Sequence, residues 1–227
     1  MKFTRLNITA EGQTEERFVK DVLSTYLGPF EIATDVRSVL TSKNKRKSHR
    51  GGLINYSKAK KDIETWLKED RNPEARFTTM FDLYALPNDF PKYEEAEKIN
   101  DPYQKVEFLE EAMEEDVDDN RFLAYIQLHE FESLVLAKPL SLEIEYFDRK
   151  DEIEELNGLL NGYKYKGNAE LINGNNAPSK RIIKLIPEYH KVNAGPATVK
   201  ETGMDFLKEN CSHFNSWIEK LEKLSSY

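Results

Sequence analysis

A single cysteine, Cys211, leaves this chain without the pairs a disulfide framework needs and without the thiolates of a cysteine-rich zinc site. No apolar run approaches the roughly 20 residues that would span a bilayer, and the first residues, MKFTRLNITAEG, mix charge and polarity too early for a secretory signal. These absences lead to the expectation of a cytoplasmic protein. Internal repeats and low-complexity segments are also missing. What remains is 227 residues with 39% hydrophobic and 33% charged side chains, enough to bury a substantial core.

Basic charge is in deficit. The formal net charge is -8, and the excess is local: Glu107, Glu110, Glu111, Glu114, Glu115, Asp116, Asp118 and Asp119 include no base among them. Without those eight, acids and bases balance at 33 each. Such a chain does not hold nucleic acid through its overall field. Contact with a polyanion has to come from local basic patches, a bound cation or a partner. One basic stretch stands out, Lys43, Lys45, Arg46, Lys47 and Arg50 with His49, and it reads as a solvated loop. The acidic stretch reads as a solvated helix whose apolar stripe is Val106, Leu109, Met113 and Val117. Asp116–Asn120 lacks the turn glycine and distal glutamate of a calcium loop.

Periodicity predicts strands at 2–10, 31–40, 76–82 and 121–128, the last apolar throughout as in a strand buried on both faces. Helices are expected from Thr14 to the stop at Gly28-Pro29, over 56–69, through the acidic region and over a short stretch at 129–137. Strands alternating with helices predict an α/β fold with a mainly parallel sheet flanked by helices. Residues 1–138 form the core in this reading, and 139–227 a helical C-terminal region packed on it, with a Gly/Asn/Pro-rich loop at 158–178. Trp66, Phe214 and Trp217 fall at helical core positions.

Three of these strands run into carboxylates: Glu11 with Glu15 just beyond it, Asp82, and the Glu130/Glu132 pair. In a parallel sheet the carboxyl ends share one edge, where ligands bind. Clustered carboxylates cost stability unless a cation neutralises them, and hard oxygen ligands suit Mg²⁺ or Mn²⁺. Taken singly, each acid also has a structural reading, as a helix N-terminal charge or a turn residue. Glu11 carries most weight because the adjacent Gly12 permits a tight turn or close phosphate approach. Glu130 and Glu132 face apart on a helix, so both serve one site only if that helix starts late. Elsewhere, Ser179, Lys180 and Arg181 open a helix, and Lys191 follows it with His190; backbone N–H groups and bases there suit phosphate, as they suit an ordinary N-cap. His129 is a proton-transfer candidate or a buried core histidine. Cys211 and His213 lack the further ligands of a metal site.

The segments EGQTEERFV at 11–19, HRGGLINY at 49–56, TTMFDLYALPNDFP at 78–91, YIQLHEFESLVLA at 125–137, NAPSKRIIKLIPEYHK at 176–191 and CSHFNSWIEKL at 211–221 resemble, in order and spacing, a Toprim-like family, domain of unknown function 4276. Its best-understood members are similar to the nuclease subunit of the phage anti-restriction-induced defence system. That resemblance implies a Toprim-like fold and metal-dependent cleavage of RNA, with transfer RNA as substrate, in an anti-phage toxin. It also implies an ABC-type ATPase as controlling partner, homodimerisation of the active form and no membrane association. By the same likeness Glu11 is general acid/base or metal ligand, Glu15 a second ligand, and Asp82 the first Asp of an Asp-x-Asp pair. Either one ligand of the Mg²⁺ or Mn²⁺ site is missing or Glu130 or Glu132 replaces it, and Lys180, Arg181 or Lys191 neutralises developing charge. The chain departs from the pattern at Tyr84, which stands where the second aspartate belongs. A non-catalytic adaptor on the same scaffold, docked on an ATPase through the acidic helix, is the alternative.

Overall fold

The computed structural model describes residues 3–39, 53, 55–172 and 177–225. Strands β1 (Thr4–Ala10), β2 (Ile32–Ser38), β3 (Ala75–Asp82), β4 (Phe122–Leu123) and β5 (Ile126–Gln127) form one sheet, ordered β2-β1-β3-β4 with β5 beyond β4 along β3. Every pairing is parallel, and Ala10 lies level with Ser38 and Met80. The carboxyl ends therefore share one edge. The expected α/β architecture with a mainly parallel sheet is what the chain forms.

Helices α1 (Gln13–Phe18), α2 (Ser24–Leu27), α3 (Tyr56–Glu69), α4 (Tyr93–Ala96) and α5 (Pro102–Val117) belong to the first half. A π-turn at Val19–Leu23 joins α1 to α2. After β5 come α6 (Glu132–Val135), α7 (Lys150–Asn161), α8 (Pro178–Leu185), α9 (Lys191–Thr202), α10 (Met204–Asn210) and α11 (Ser212–Glu222). One apolar cluster joins Leu6 and Ile8 of β1 to Phe18, Leu134, Val199, Phe214 and Leu221, so the C-terminal helices cover one sheet face. A second cluster packs Ile63 and Trp66 of α3 and Leu109 and Met113 of α5 onto Phe77, Phe81 and Ile126. The sheet lies between two helical layers, an arrangement that suits strands buried on both faces.

The stretch 121–128 is shorter in strand than its apolar run predicts. Thr79 Oγ1 donates to Tyr125 O and accepts from Tyr125 N, both at 2.9 Å, and so replaces two backbone bonds at the middle of the ladder. Register is unchanged across the interruption, Phe77 opposite Phe122 and Phe81 opposite Ile126. Tyr125 then stacks on Trp217 at 4.1 Å, whose indole N–H reaches Thr78 Oγ1 at 3.1 Å. Trp66, Phe214 and Trp217 are core residues, as expected.

The acidic helix is not wholly solvated. Val106, Leu109 and Met113 form its buried stripe, but Glu110 is buried too, accepting from Ile126 N at 2.8 Å. Glu114 accepts from Ala124 N at 2.9 Å. An edge strand leaves backbone N–H groups unpaired, and two of the eight acids satisfy them. Glu110 also meets His213 Nε2 at 3.0 Å, so His213 is part of a buried ion pair. Two expected boundaries shift: α7 continues through Gly158 to Asn161, and the helix placed at 129–137 narrows to Glu132–Val135. The basic stretch Lys43–Arg50 lies outside the described residues. Among the described residues no helix is long and apolar enough to cross a membrane.

Candidate active site at the carboxyl edge of the sheet

Glu11 leaves the end of β1 with its N–H bonded to Met80 O at 3.0 Å, and its Oε2 accepts from Asp82 N at 2.8 Å. Two neighbouring strand ends are thus clasped through one carboxylate. Glu15, in the first turn of α1, turns its Oε2 back to Gly12 N at 2.9 Å. Gly12 itself is extended, and a Cβ there would meet Glu15 Oε2 at an ordinary 3.4 Å, so the backbone does not demand glycine. The freedom attributed to Gly12 from sequence is not used in this conformation.

Asp82 ends β3 beside Glu11. Its Oδ1 is buried and has no hydrogen-bond partner among the described residues. Buried polar atoms are nearly always paired, so this oxygen is an open acceptor.

The third contribution comes from the turn after β5. His129 adopts a left-handed backbone (φ 63°), a costly state for a non-glycine residue. The turn delays α6 until Glu132, and so Glu130 precedes the helix while Glu132 starts it. Glu132, 1% exposed, binds Lys191 Nζ at 3.2 Å and lies 3.5 Å from Tyr189 Oη. Glu130 Oε2 accepts from Ser179 N at 2.9 Å, fastening the start of α8 to the site. His129 points its Nε2 to Glu170 O at 3.0 Å instead of to a carboxylate, and burial holds the ring below its ordinary pKa.

Electrostatics show that these acids sense one another. Burial, then Glu15, pushes the Glu11 carboxyl up from 4.5 to about 8, against the Asp82 N–H and Lys191. Burial and Glu132 push Glu15 up to about 7. Asp82 is raised well above its ordinary value by burial and then by Glu11, Glu15, Glu132 and Glu130. Glu132 is raised by burial, with Lys191 opposing. Burial pulls the Lys191 ammonium down, yet Glu132 and Glu130 outweigh it and hold it above its ordinary value. Glu11, Glu15, Asp82 and Glu132, all raised by burial and by acidic neighbours, therefore share the field of one ammonium, with the half-buried Glu130 beside them.

The five acids named from sequence and Lys191 are electrostatic neighbours; Lys180 and Arg181 are placed differently. Lys180 is exposed, and Arg181 donates to Tyr165 Oη at 2.8 Å. What α8 presents to the acids is the Ser179 N–H. Sequence reasoning gave no role to Tyr189, although it lies in the segment 176–191, and missed Glu170, which lies in none of the matching segments. It also gave no sign that backbone amides would occupy several carboxylate oxygens.

The donor set is all oxygen, with one buried oxygen unpartnered, which fits a hard divalent cation. Among the described residues, however, no three His, Cys, Asp or Glu side chains are already arranged to hold a metal ion. Glu132 pairs with Lys191, and Glu11, Glu15 and Glu130 are braced by amides.

A protein-family model described as a domain of unknown function, DUF4276, matches residues 10–222. No curated protein and no solved structure matches the chain. The match spans the strand ends, the acid-bearing turns and the covering helices, and the chain belongs to the DUF4276 family.

Proposed function

We propose that the chain is a divalent-metal-dependent nuclease of Toprim type that cleaves RNA, transfer RNA being the expected substrate, as a defence effector controlled by an ABC-type ATPase. The observation that carries the chemistry is the open, buried Asp82 Oδ1 among carboxyls of Glu11, Glu15 and Glu132 that are raised by burial and acidic neighbours, with Lys191 beside them. A stable protein without a cation has little reason to maintain that arrangement. RNA, the ATPase and the defence role rest on the resemblance of the motifs.

Glu11 and Asp82, with Glu130 or Glu132 and with Glu15 behind them, would hold Mg²⁺ or Mn²⁺. When bound, such an ion polarises a phosphodiester and lowers the pKa of water. The chain's own groups do the rest. Glu11 is pushed up to about 8, so it either gives up that proton near neutral pH to ligate the ion or, left off the ion, exchanges it in acid/base work. Lys191, kept charged by Glu132 and Glu130, faces the same space and offsets negative charge developing on a phosphate. Glu132 and Tyr189 orient that lysine. The Glu11 to Asp82 N–H bond fixes the spacing of the two strand ends.

Glu11→Gln keeps an acceptor for the Asp82 N–H but removes the charge. With Mn²⁺ and a tRNA substrate it should lose about 100-fold or more in cleavage rate, the scale of acid/base contributions, while folding normally. Wild-type cleavage by that variant refutes the proposal. Tyr84, which is 46% exposed and packs 5.5 Å from His129, favours a second reading. With no aspartate there, a Toprim-fold adaptor on an ATPase would bind Mn²⁺ no better than its Glu11→Ala variant.

A further inference from the structure

Helix α8, whose Ser179 N–H binds Glu130, also carries a surface whose chemistry is opposite to that of the acidic site. The loop after α7 carries Tyr163, Lys164, Tyr165 and Lys166, and Tyr163 is 91% exposed. The loop is built: Tyr165 N and Lys166 N both donate to Gly162 O, and Gly167 N donates to Leu160 O at 2.9 Å. Lys166 (φ 50°) and Gly167 (φ 84°) are consecutive left-handed residues that close the turn. Lys166 Nζ sits 5.3 Å from the Tyr163 ring, and Lys164 Nζ 5.0 Å from the Tyr165 ring.

Arg181 of α8 stacks on the same Tyr165 ring at 5.5 Å and bonds its hydroxyl, which joins the loop to the helix. Lys180 and Lys184, four residues apart and both exposed, continue the basic face along α8. Among the described residues Lys164, Lys166, Lys180 and Lys184 have no carboxylate partner, as is also true of Lys58, Lys61, Lys98 and Lys150; what sets the four apart is that they fall on one loop and on the helix joined to it through Arg181 and Tyr165. In a chain of net charge -8, four lysines on one loop and its adjoining helix, with an exposed aromatic ring that Lys166 approaches, mark a place for a polyanion with π-faces. The group is tied to the acids by one bond, Ser179 N to Glu130.

We propose that this face, Tyr163–Lys166 with the outer side of α8, binds a single-stranded RNA segment and leads it to the acidic site. A base stacks on Tyr163, while Lys164, Lys166, Lys180 and Lys184 meet successive phosphates. The proposal deepens, and rests on, the nuclease reading. It also changes the role of Lys180 and Arg181 from charge neutralisation at the scissile bond to substrate binding.

The test is fluorescence anisotropy of a labelled single-stranded oligoribonucleotide in EDTA, where neither cleavage nor a bound cation contributes. Tyr163→Ala should weaken binding about ten-fold and Tyr163→Phe should not. Lys164→Glu/Lys166→Glu/Lys180→Glu should weaken it further and flatten the dependence on log salt by about one per lost phosphate contact. Wild-type affinity in the triple variant, equal losses in Tyr163→Ala and Tyr163→Phe, or no binding by the wild-type chain overturns the proposal. Each outcome is separate from the nuclease reading, which Glu11→Gln decides with Mn²⁺ present.

Discussion

Replacing Glu11 with glutamine removes a titrating carboxyl from the acidic edge while keeping an oxygen for the Asp82 N–H, so its effect on stability reports the cost of holding that carboxyl protonated below about pH 8 and charged above it. The unfolded chain gives up the Glu11 proton near 4.5, but the folded chain retains it until about pH 8. A carboxyl raised in this way makes folding less favourable as pH rises through that interval. At 1.36 kcal/mol per pH unit, the wild-type penalty is below about 1 kcal/mol at pH 5, about 3 kcal/mol at pH 7, and between about 4 and 5 kcal/mol once pH passes 8. Glutamine does not titrate. In EDTA, Glu11→Gln should therefore melt close to wild type at pH 5 and about 6–12 °C above it at pH 7, at 2–4 °C per kcal/mol for a chain of this size. Differential scanning calorimetry across pH 5–8 measures the gap. With saturating Mn²⁺ the order should reverse, because the ion stabilises only the form that binds it. A melting difference of the same size at pH 5 and pH 7 refutes the reasoning.

Other outcomes follow from the same contacts. Lys191→Met strands Glu132, which is 1% exposed. Because the lysine side chain is 42% exposed, the loss should be about 2 kcal/mol, short of the 3–5 of a fully buried pair, and adding Glu132→Gln should recover most of it in urea melts. At Gly195 in α9 a Cβ would lie 3.1 Å from Tyr189 Oη and 3.2 Å from Phe131. Gly195→Ala should therefore lower the melting temperature by a few degrees despite the gain in helix propensity. Burial lowers the His213 ring, but Glu110 outweighs it and holds the pKa above 6.5. The stability that His213 adds over His213→Gln should be full below pH 6.5 and fade as pH rises through the ring's folded pKa, as thermal melts at pH 5.5–8.5 will show.

Much of the architecture was legible because strands and helices announce themselves by period and the acids sit where strands stop. The run RFLAYIQL looked like one strand because apolarity marks burial but not hydrogen bonding; the Thr79 hydroxyl that interrupts it comes from a strand 46 residues away. Glu110 and Glu114 resembled their solvated neighbours, since nothing local distinguishes a glutamate that caps an edge strand from one in water. The acids of the site were readable from strand ends. Their bracing was not: Glu11 on Asp82 N, Glu15 on Gly12 N and Glu130 on Ser179 N depend on how distant backbones meet. Lys180 and Arg181 have suitable chemistry, but α8 enters the site by its Ser179 amide, which leaves those side chains on the outer surface. Glu170, buried within a short turn and bonded to the start of α11 at His213 N and Phe214 N, had no signature in sequence.

Calorimetric titration of Mn²⁺ into the wild-type chain, Glu11→Gln and Asp82→Asn at pH 7 in two buffers of different ionisation heat bears most directly on the acidic site. The account predicts a saturable heat for wild type, release of more than one proton as Asp82 and the carboxyls raised to about 7 and about 8 ionise, and loss of both signals in the two variants. Equal heats in all three proteins, or binding by wild type without proton release, would contradict it.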